Sequence, residues 1–226
     1  MSRLVPHLAV LTALLFASFA GAETERFTLQ SPQSLRPIKV ATSPTTFDGK
    51  PALRVVEAPG AKGSEDDKLV IISGTKVQDG VIELSVSSRP ADDAGPNARG
   101  FAGVAFRVNS DASRYECFYL RPTNGRANDQ LRRNHSTQYV SHPEYPWHRL
   151  REETPGKYEA YVDLVPGDWT DLRIELEGET AKLFVHGSDQ PTLIVNDLKH
   201  GVTEGQIALW MGPGTEAYFS EVSITK

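Results

Sequence analysis

Asp171-Leu-Arg-Ile-Glu-Leu-Glu177 is followed, across Gly178-Glu179, by Thr180-Ala-Lys-Leu-Phe-Val185. In the first run Leu172, Ile174 and Leu176 alternate with Asp171, Arg173 and Glu175. In the second, Ala181, Leu183 and Val185 alternate with Lys182 and Phe184. Period two gives each segment one apolar and one opposite face, and the residues between them suit a turn, so the stretch predicts two strands joined tightly. The same pattern recurs outward along the chain. Ile82, Leu84 and Val86 alternate with Glu83, Ser85 and Ser87; Val104, Phe106 and Val108 with Ala105 and Arg107; Ile207, Leu209 and Met211 with Gln206, Ala208 and Trp210. No long amphipathic helix and no internal repeat interrupts them. Many short strands bounded by Gly, Pro, Asp and Asn predict an all-β domain of two packed antiparallel sheets.

The N-terminal residues 1–22 read as a signal peptide. Arg3 supplies the positive start, Leu8 to Phe19 is apolar, and Ala20-Gly21-Ala22 offers small residues for cleavage after Ala22. The apolar run is short for a bilayer span and no second one follows, so no membrane anchor is expected. The expected location is secreted or periplasmic, with residues 23–226 as a single domain. The net charge is −5, and −6 once Arg3 is removed, which excludes a generally nucleic-acid-binding protein. Cys117 is the one cysteine, so stability must come from a buried core rather than a disulfide. Its setting, Tyr115-Glu116-Cys117-Phe118-Tyr119-Leu120, predicts a buried, unreactive thiol.

Four further segments carry a resemblance. Trp169-Thr-Asp-Leu-Arg-Ile-Glu-Leu-Glu-Gly178, Ala181-Lys-Leu-Phe-Val-His-Gly187, Gly205-Gln-Ile-Ala-Leu-Trp210 and Ala217-Tyr-Phe-Ser-Glu-Val-Ser-Ile224 resemble the concanavalin A-like lectin/glucanase superfamily. Laminin-G-like modules and bacterial 3-keto-disaccharide hydrolase-type domains are the nearest in character. Asp79-Gly-Val-Ile-Glu-Leu-Ser-Val86 and Gly103-Val-Ala-Phe-Arg107 resemble earlier strands of such domains. The resemblance implies a concanavalin A-like jelly-roll sandwich and a carbohydrate ligand. The Glu-x-Asp-x-x-Glu strand of laminarinase-type glucanases is absent, so their paired-carboxylate mechanism does not carry over.

Function is sought between Arg99 and Glu152, where nine arginines stand without a lysine and the local charge is +4. Arginine alone suggests that the planar fork matters, because it makes two-point contacts and stacks on rings. Strand parity turns Phe118 and Leu120 to the core and Tyr115, Cys117, Tyr119 and Arg121 to the opposite face. Arg107, Tyr119 and Arg121 are thus expected to line a concave groove holding a sugar, with an acidic glycan favoured. The long segment 122–152 is expected to roof that groove as a loop. It offers His135, His142 and Tyr139 as candidate proton-transfer groups, and Arg132, Arg133, Asn134, Gln138, Trp147, His148 and Arg151 as candidate binding groups.

No cofactor is expected. The spacing of His135, His142 and His148 matches no zinc pattern, and Asp66-Asp67 and Asp92-Asp93 lie in no recognisable calcium loop, although the superfamily resemblance leaves a structural calcium open. Three functional classes stay open: a carbohydrate-binding protein, a glycan-cleaving enzyme (hydrolase or polysaccharide lyase), and a non-catalytic module whose arginines dock a partner protein. Paired carboxylates in the groove would favour hydrolysis; a His–Tyr pair beside Arg would favour a lyase.

Overall fold

The computed structural model describes residues 23–61 and 68–226. The signal-peptide expectation and the Asp66-Asp67 pair lie outside the described residues. The strands in chain order are β1 (Thr24–Phe27), β2 (Leu35–Ile38), β3 (Val40–Phe47), β4 (Lys50–Glu57), β5 (Lys68–Val77), β6 (Gly80–Pro90), β7 (Ala102–Val108) and β8 (Tyr115–Leu120). They continue as β9 (Thr137–His142), β10 (Glu159–Ala160), β11 (Thr170–Glu177), β12 (Thr180–Val185), β13 (Leu193–Val195), β14 (Gly205–Met211) and β15 (Thr215–Thr225). Three short helices, α1 (Pro122–Gly125), α2 (Gln130–Asn134) and α3 (Trp147–Glu153), lie between β8 and β10.

Two antiparallel sheets result. One runs β13-β12-β11-β6-β15-β4-β3 with β1 added to β15; the other runs β10-β9-β8-β7-β14-β5-β2. The β11–β12 hairpin forms as read, Glu177 opposite Thr180, with Gly178 of the turn at φ +56°. Leu172, Ile174 and Leu176 are buried while Asp171 and Glu177 are exposed. Ile82, Leu84, Phe106, Phe118, Leu183, Leu209 and Phe219 belong to one continuous core. An apolar interior this extensive is what a chain with one cysteine requires.

The segment 122–152 departs from the expected loop. Thr137–His142 is a full strand, registered against β8 with Phe118 opposite Tyr139 and Tyr119 opposite Gln138. Its alternation is hard to see in sequence because the core-facing positions are Thr137, Tyr139 and Ser141. Two of them are buried with polar pairing rather than by apolar character: Tyr139 Oη donates to the buried Glu116 at 2.7 Å and Thr137 Oγ1 to the Ala160 carbonyl at 3.0 Å. The helices on either side of β9 then fold over the outer face of the same sheet. Asp129 caps α2, accepting from Arg132 N at 2.6 Å. Among the described residues no helix is long and apolar enough to cross a membrane.

Candidate functional site

The outer face of the seven-stranded sheet is a half-open cleft of about 1200 Å³. One wall is the β6–β7 connection from Asp93 to Arg99. The other is the α1–α3 segment, including Leu131, His135, Trp147, His148 and Arg151. The floor is aromatic. Tyr119 stacks on Trp210 at 4.6 Å between centroids, Trp210 Nε1 donates to Tyr115 Oη at 3.3 Å, and Tyr115 stacks on His142 at 4.8 Å. Gly103 makes this possible. It sits on β7 between Tyr119 on β8 and Trp210 on β14, and a Cβ there would meet the Tyr119 Cβ at 2.8 Å. With no side chain between them, rings from strands two apart close into contact; such pairs add about 0.5–1.5 kcal/mol beyond burial.

Beside the floor lies a buried charge cluster. Arg121 donates through Nη1 to Glu159 Oε1 (3.1 Å) and to the His135 carbonyl (3.1 Å), and through Nη2 to Tyr119 Oη (2.9 Å) and Gln138 Oε1 (3.0 Å). Arg151 grips the same carboxylate in two-point fashion, Nε to Oε2 at 3.0 Å and Nη2 to Oε1, while its guanidinium lies 4.8 Å over the Trp147 ring. His135 Nε2 is 3.4 Å from Glu159 Oε2. The Glu159 side chain is 3% exposed, so its charge is held almost entirely by these groups. Burial pushes the His135 imidazole below the ordinary histidine value; Glu159 opposes the shift, and Arg151 and Arg121 reinforce it. Burial raises the Tyr119 phenol to about 12, opposed by Arg121.

The predicted site residues divide. Tyr119, Arg121, Arg132, His135, His142, Trp147, His148 and Arg151 line the cleft. Gln138 lies buried beneath it, its amide donating to the Tyr139 and Tyr158 carbonyls. Arg132 is a brace, bound to Asn124 and Thr123. Arg133 stacks on and donates to exposed Tyr161, and Asn134 accepts from Gln130; neither lines the cleft.

Two residues are on the wrong face for the roles expected of them. Tyr139 faces the core; its phenol is bound between Glu116 and Lys199 N and its pKa is driven up by burial, then by Glu116. Arg107 is likewise absent from the groove. Parity fails there because β7 carries a bulge: Phe106 and Arg107 together face Ile207, with Arg107 at φ +53°. The side chain is fully buried and donates to the carbonyls of Gln78, Gly178 and Gly201, tying three turns at one end of the sandwich.

Sequence reasoning missed Glu159, Trp210 and Arg99. The outward parity of Trp210 was a usable signal, since a tryptophan on a strand's outer face needs a partner. Glu159 gave none, being far along the chain from Arg121. Arg99 lines the cleft with only the Pro96 and Ala98 carbonyls as partners among the described residues. Burial, then Arg132 and Arg121, lower its pKa, which marks a local excess of positive charge. No three His, Cys, Asp or Glu side chains among the described residues cluster as metal ligands.

No family model matches the chain, and no curated protein does. Solved structures do. Carbohydrate binding module CBM66 from Bacillus subtilis aligns at 16% identity over 84% of this chain and 95% of its own, with a TM-score of 0.54. A Bacillus subtilis protein of unknown function with a galectin-like fold aligns at 11% identity over 88% and 94%, TM-score 0.56. A putative glycosyl hydrolase from Parabacteroides distasonis aligns at 13% identity over 89% and 98%, TM-score 0.56. With its two antiparallel sheets and these neighbours, the chain has the concanavalin A-like jelly-roll fold.

Proposed function

We propose that this chain binds a carbohydrate in the cleft over Tyr119 and Trp210. The observation that carries the reading is the half-open cleft floored by the Tyr119–Trp210 stack, in which Tyr119 is buried and Trp210 half-buried, bordered by exposed Trp147 and by fixed charged groups. Sugar rings present C–H faces that pack on aromatic rings and hydroxyls that seek charged or polar partners, and this cleft offers both. Its shape is largely set in advance, because Arg121, Gln138 and Glu159 are held by one another before any ligand arrives. The carbohydrate-binding and glycosyl-hydrolase descriptions of the structural neighbours support the same ligand class.

An acidic glycan is the finer part of the proposal. Most arginines of the segment serve as internal braces, such as Arg126 on Asp163 and Arg149 on Glu153. The preference therefore rests on Arg99, which faces the cleft without a carboxylate partner among the described residues. Export to a secreted or periplasmic location belongs to the same proposal and rests on residues 1–22 alone.

The test is a glycan array followed by titration of each hit. Trp147 is 45% exposed, and its removal should leave folding intact. Trp147→Ala should weaken a true ligand by about thirtyfold, the effect of losing an aromatic anchor worth about 2 kcal/mol. Binding that is indifferent to Trp147 would place the ligand elsewhere.

A further inference from the structure

Binding alone does not call for a buried carboxylate set 3.4 Å from a histidine ring nitrogen. The Glu159 carboxylate is bound by Arg121 and Arg151, and its Oε2 lies 3.4 Å from His135 Nε2. With the proton on the nitrogen facing Glu159, the neutral ring keeps its lone pair on Nδ1. The residue is anchored through its own carbonyl, which accepts from Arg121 and Asn124. It lines the cleft, as does Tyr119, whose phenol oxygen accepts from Arg121 and keeps its own proton for donation. One guanidinium therefore braces both the candidate base and the candidate acid. Arg99, at the same cleft, offers a fork to an anion.

Resting on the glycan reading, we propose that the cleft cleaves uronate-containing polysaccharides by β-elimination, with His135 as general base and Tyr119 as general acid. Arg99 pairs with the substrate carboxylate, which acidifies the adjacent C–H bond. His135 takes that proton. The released electron pair forms a carbon–carbon double bond as the neighbouring carbon–oxygen bond breaks. The departing oxygen takes the proton of Tyr119, and solvent returns a proton from His135 to the phenolate. Atoms and charge balance with no redox step and no co-reactant. The groups facing His135 are Glu159 and Asp129, which favour its protonation, and Arg151 and Arg121, which oppose it; burial favours the neutral base.

The full chain is incubated with polygalacturonate, alginate and glucuronan, with dextran as a neutral control. Product is read by the ultraviolet absorbance of the unsaturated uronate and binding by tryptophan fluorescence. At least one polyuronate should yield the chromophore, and the rate should rise with pH through a midpoint below the ordinary histidine value. His135→Ala should lower turnover by at least about a hundredfold, and Tyr119→Phe should lower it as well, with affinity changed less than about threefold. A polyuronate that binds without forming the chromophore overturns the elimination and leaves the binding reading standing. New reducing ends without the chromophore, a fully active His135→Ala, or binding of dextran alone do the same. Failure of every glycan to bind removes both.

Discussion

Replacing Glu159 by glutamine is the sharpest probe of the charge cluster. The carboxylate accepts one hydrogen bond from Arg121 and two from Arg151, and lies against His135. The glutamine keeps one acceptor oxygen but turns an amide N–H toward a guanidinium. Exposure is 3% for the Glu159 side chain and 6% for that of Arg121, so water cannot replace what is lost. Leaving one member of a buried pair without its counter-charge costs about 3–5 kcal/mol. For a domain of this size that corresponds to a fall of about 6–20 °C in Tm. Urea and thermal denaturation followed by circular dichroism measure both quantities. Removing Arg121 as well, in Glu159→Gln with Arg121→Met, should restore part of the loss, because an apolar replacement of a whole pair is often near neutral. A single variant that loses less than about 1 kcal/mol would refute the reasoning, since that is the range of solvent-screened surface pairs.

Arg107→Lys should destabilise by about 1–3 kcal/mol without altering glycan affinity, because an ammonium cannot satisfy the Gln78, Gly178 and Gly201 carbonyls at once; denaturation and titration of one sample separate the two effects. Cys117 is fully buried and should label slowly with thiol reagents until the chain unfolds; rapid native labelling would contradict its placement. Burial alone would raise the Asp197 carboxyl, yet hydrogen bonds from Lys157, Lys199 and Tyr158 hold it at about 2. Its folded value is depressed, so its contribution is present above the unfolded aspartate value near 4 and is lost as pH falls from about 4 to about 2. The acid limb of the stability profile should flatten in Asp197→Asn.

The strands that betray themselves in sequence are those with one apolar and one polar face. Leu172–Leu176 and Ile82–Val86 read correctly for that reason, and parity on β8 placed Tyr119 and Arg121 on the cleft side while sending Phe118 inward. Where burial is achieved by polar pairing, the pattern disappears. β9 hides its core face in Thr137, Tyr139 and Ser141, so Tyr139 reads as a free phenol although Glu116 and Lys199 N occupy it. Parity is also only local. The bulge at Phe106–Arg107 inverts the direction of Arg107, and no composition signal announces it. The preference for arginine over lysine was a true signal with a second meaning. Forks were indeed required, but chiefly to join several carbonyls or carboxylates within the fold, as Arg107, Arg121, Arg132 and Arg151 do. Glu159 stayed invisible because the cluster assembles from β8, β10, α3 and the residue after α2, segments that only the folded sheet brings together.

The claim that the outer face of the seven-stranded sheet is a glycan site is tested most directly by the indole N–H resonances of the three tryptophans. Trp147 and Trp210 border the cleft, whereas Trp169, just before β11, donates to the Phe47 carbonyl and packs edge-on to the Phe47 ring on β3, both in the other sheet. Each signal is assigned by its own Trp→Phe variant, and the full chain is titrated with an array-selected oligosaccharide. The Trp147 and Trp210 signals should move together along one saturable curve while Trp169 stays still. A saturable shift confined to Trp169, or binding that moves none of the three, would contradict it.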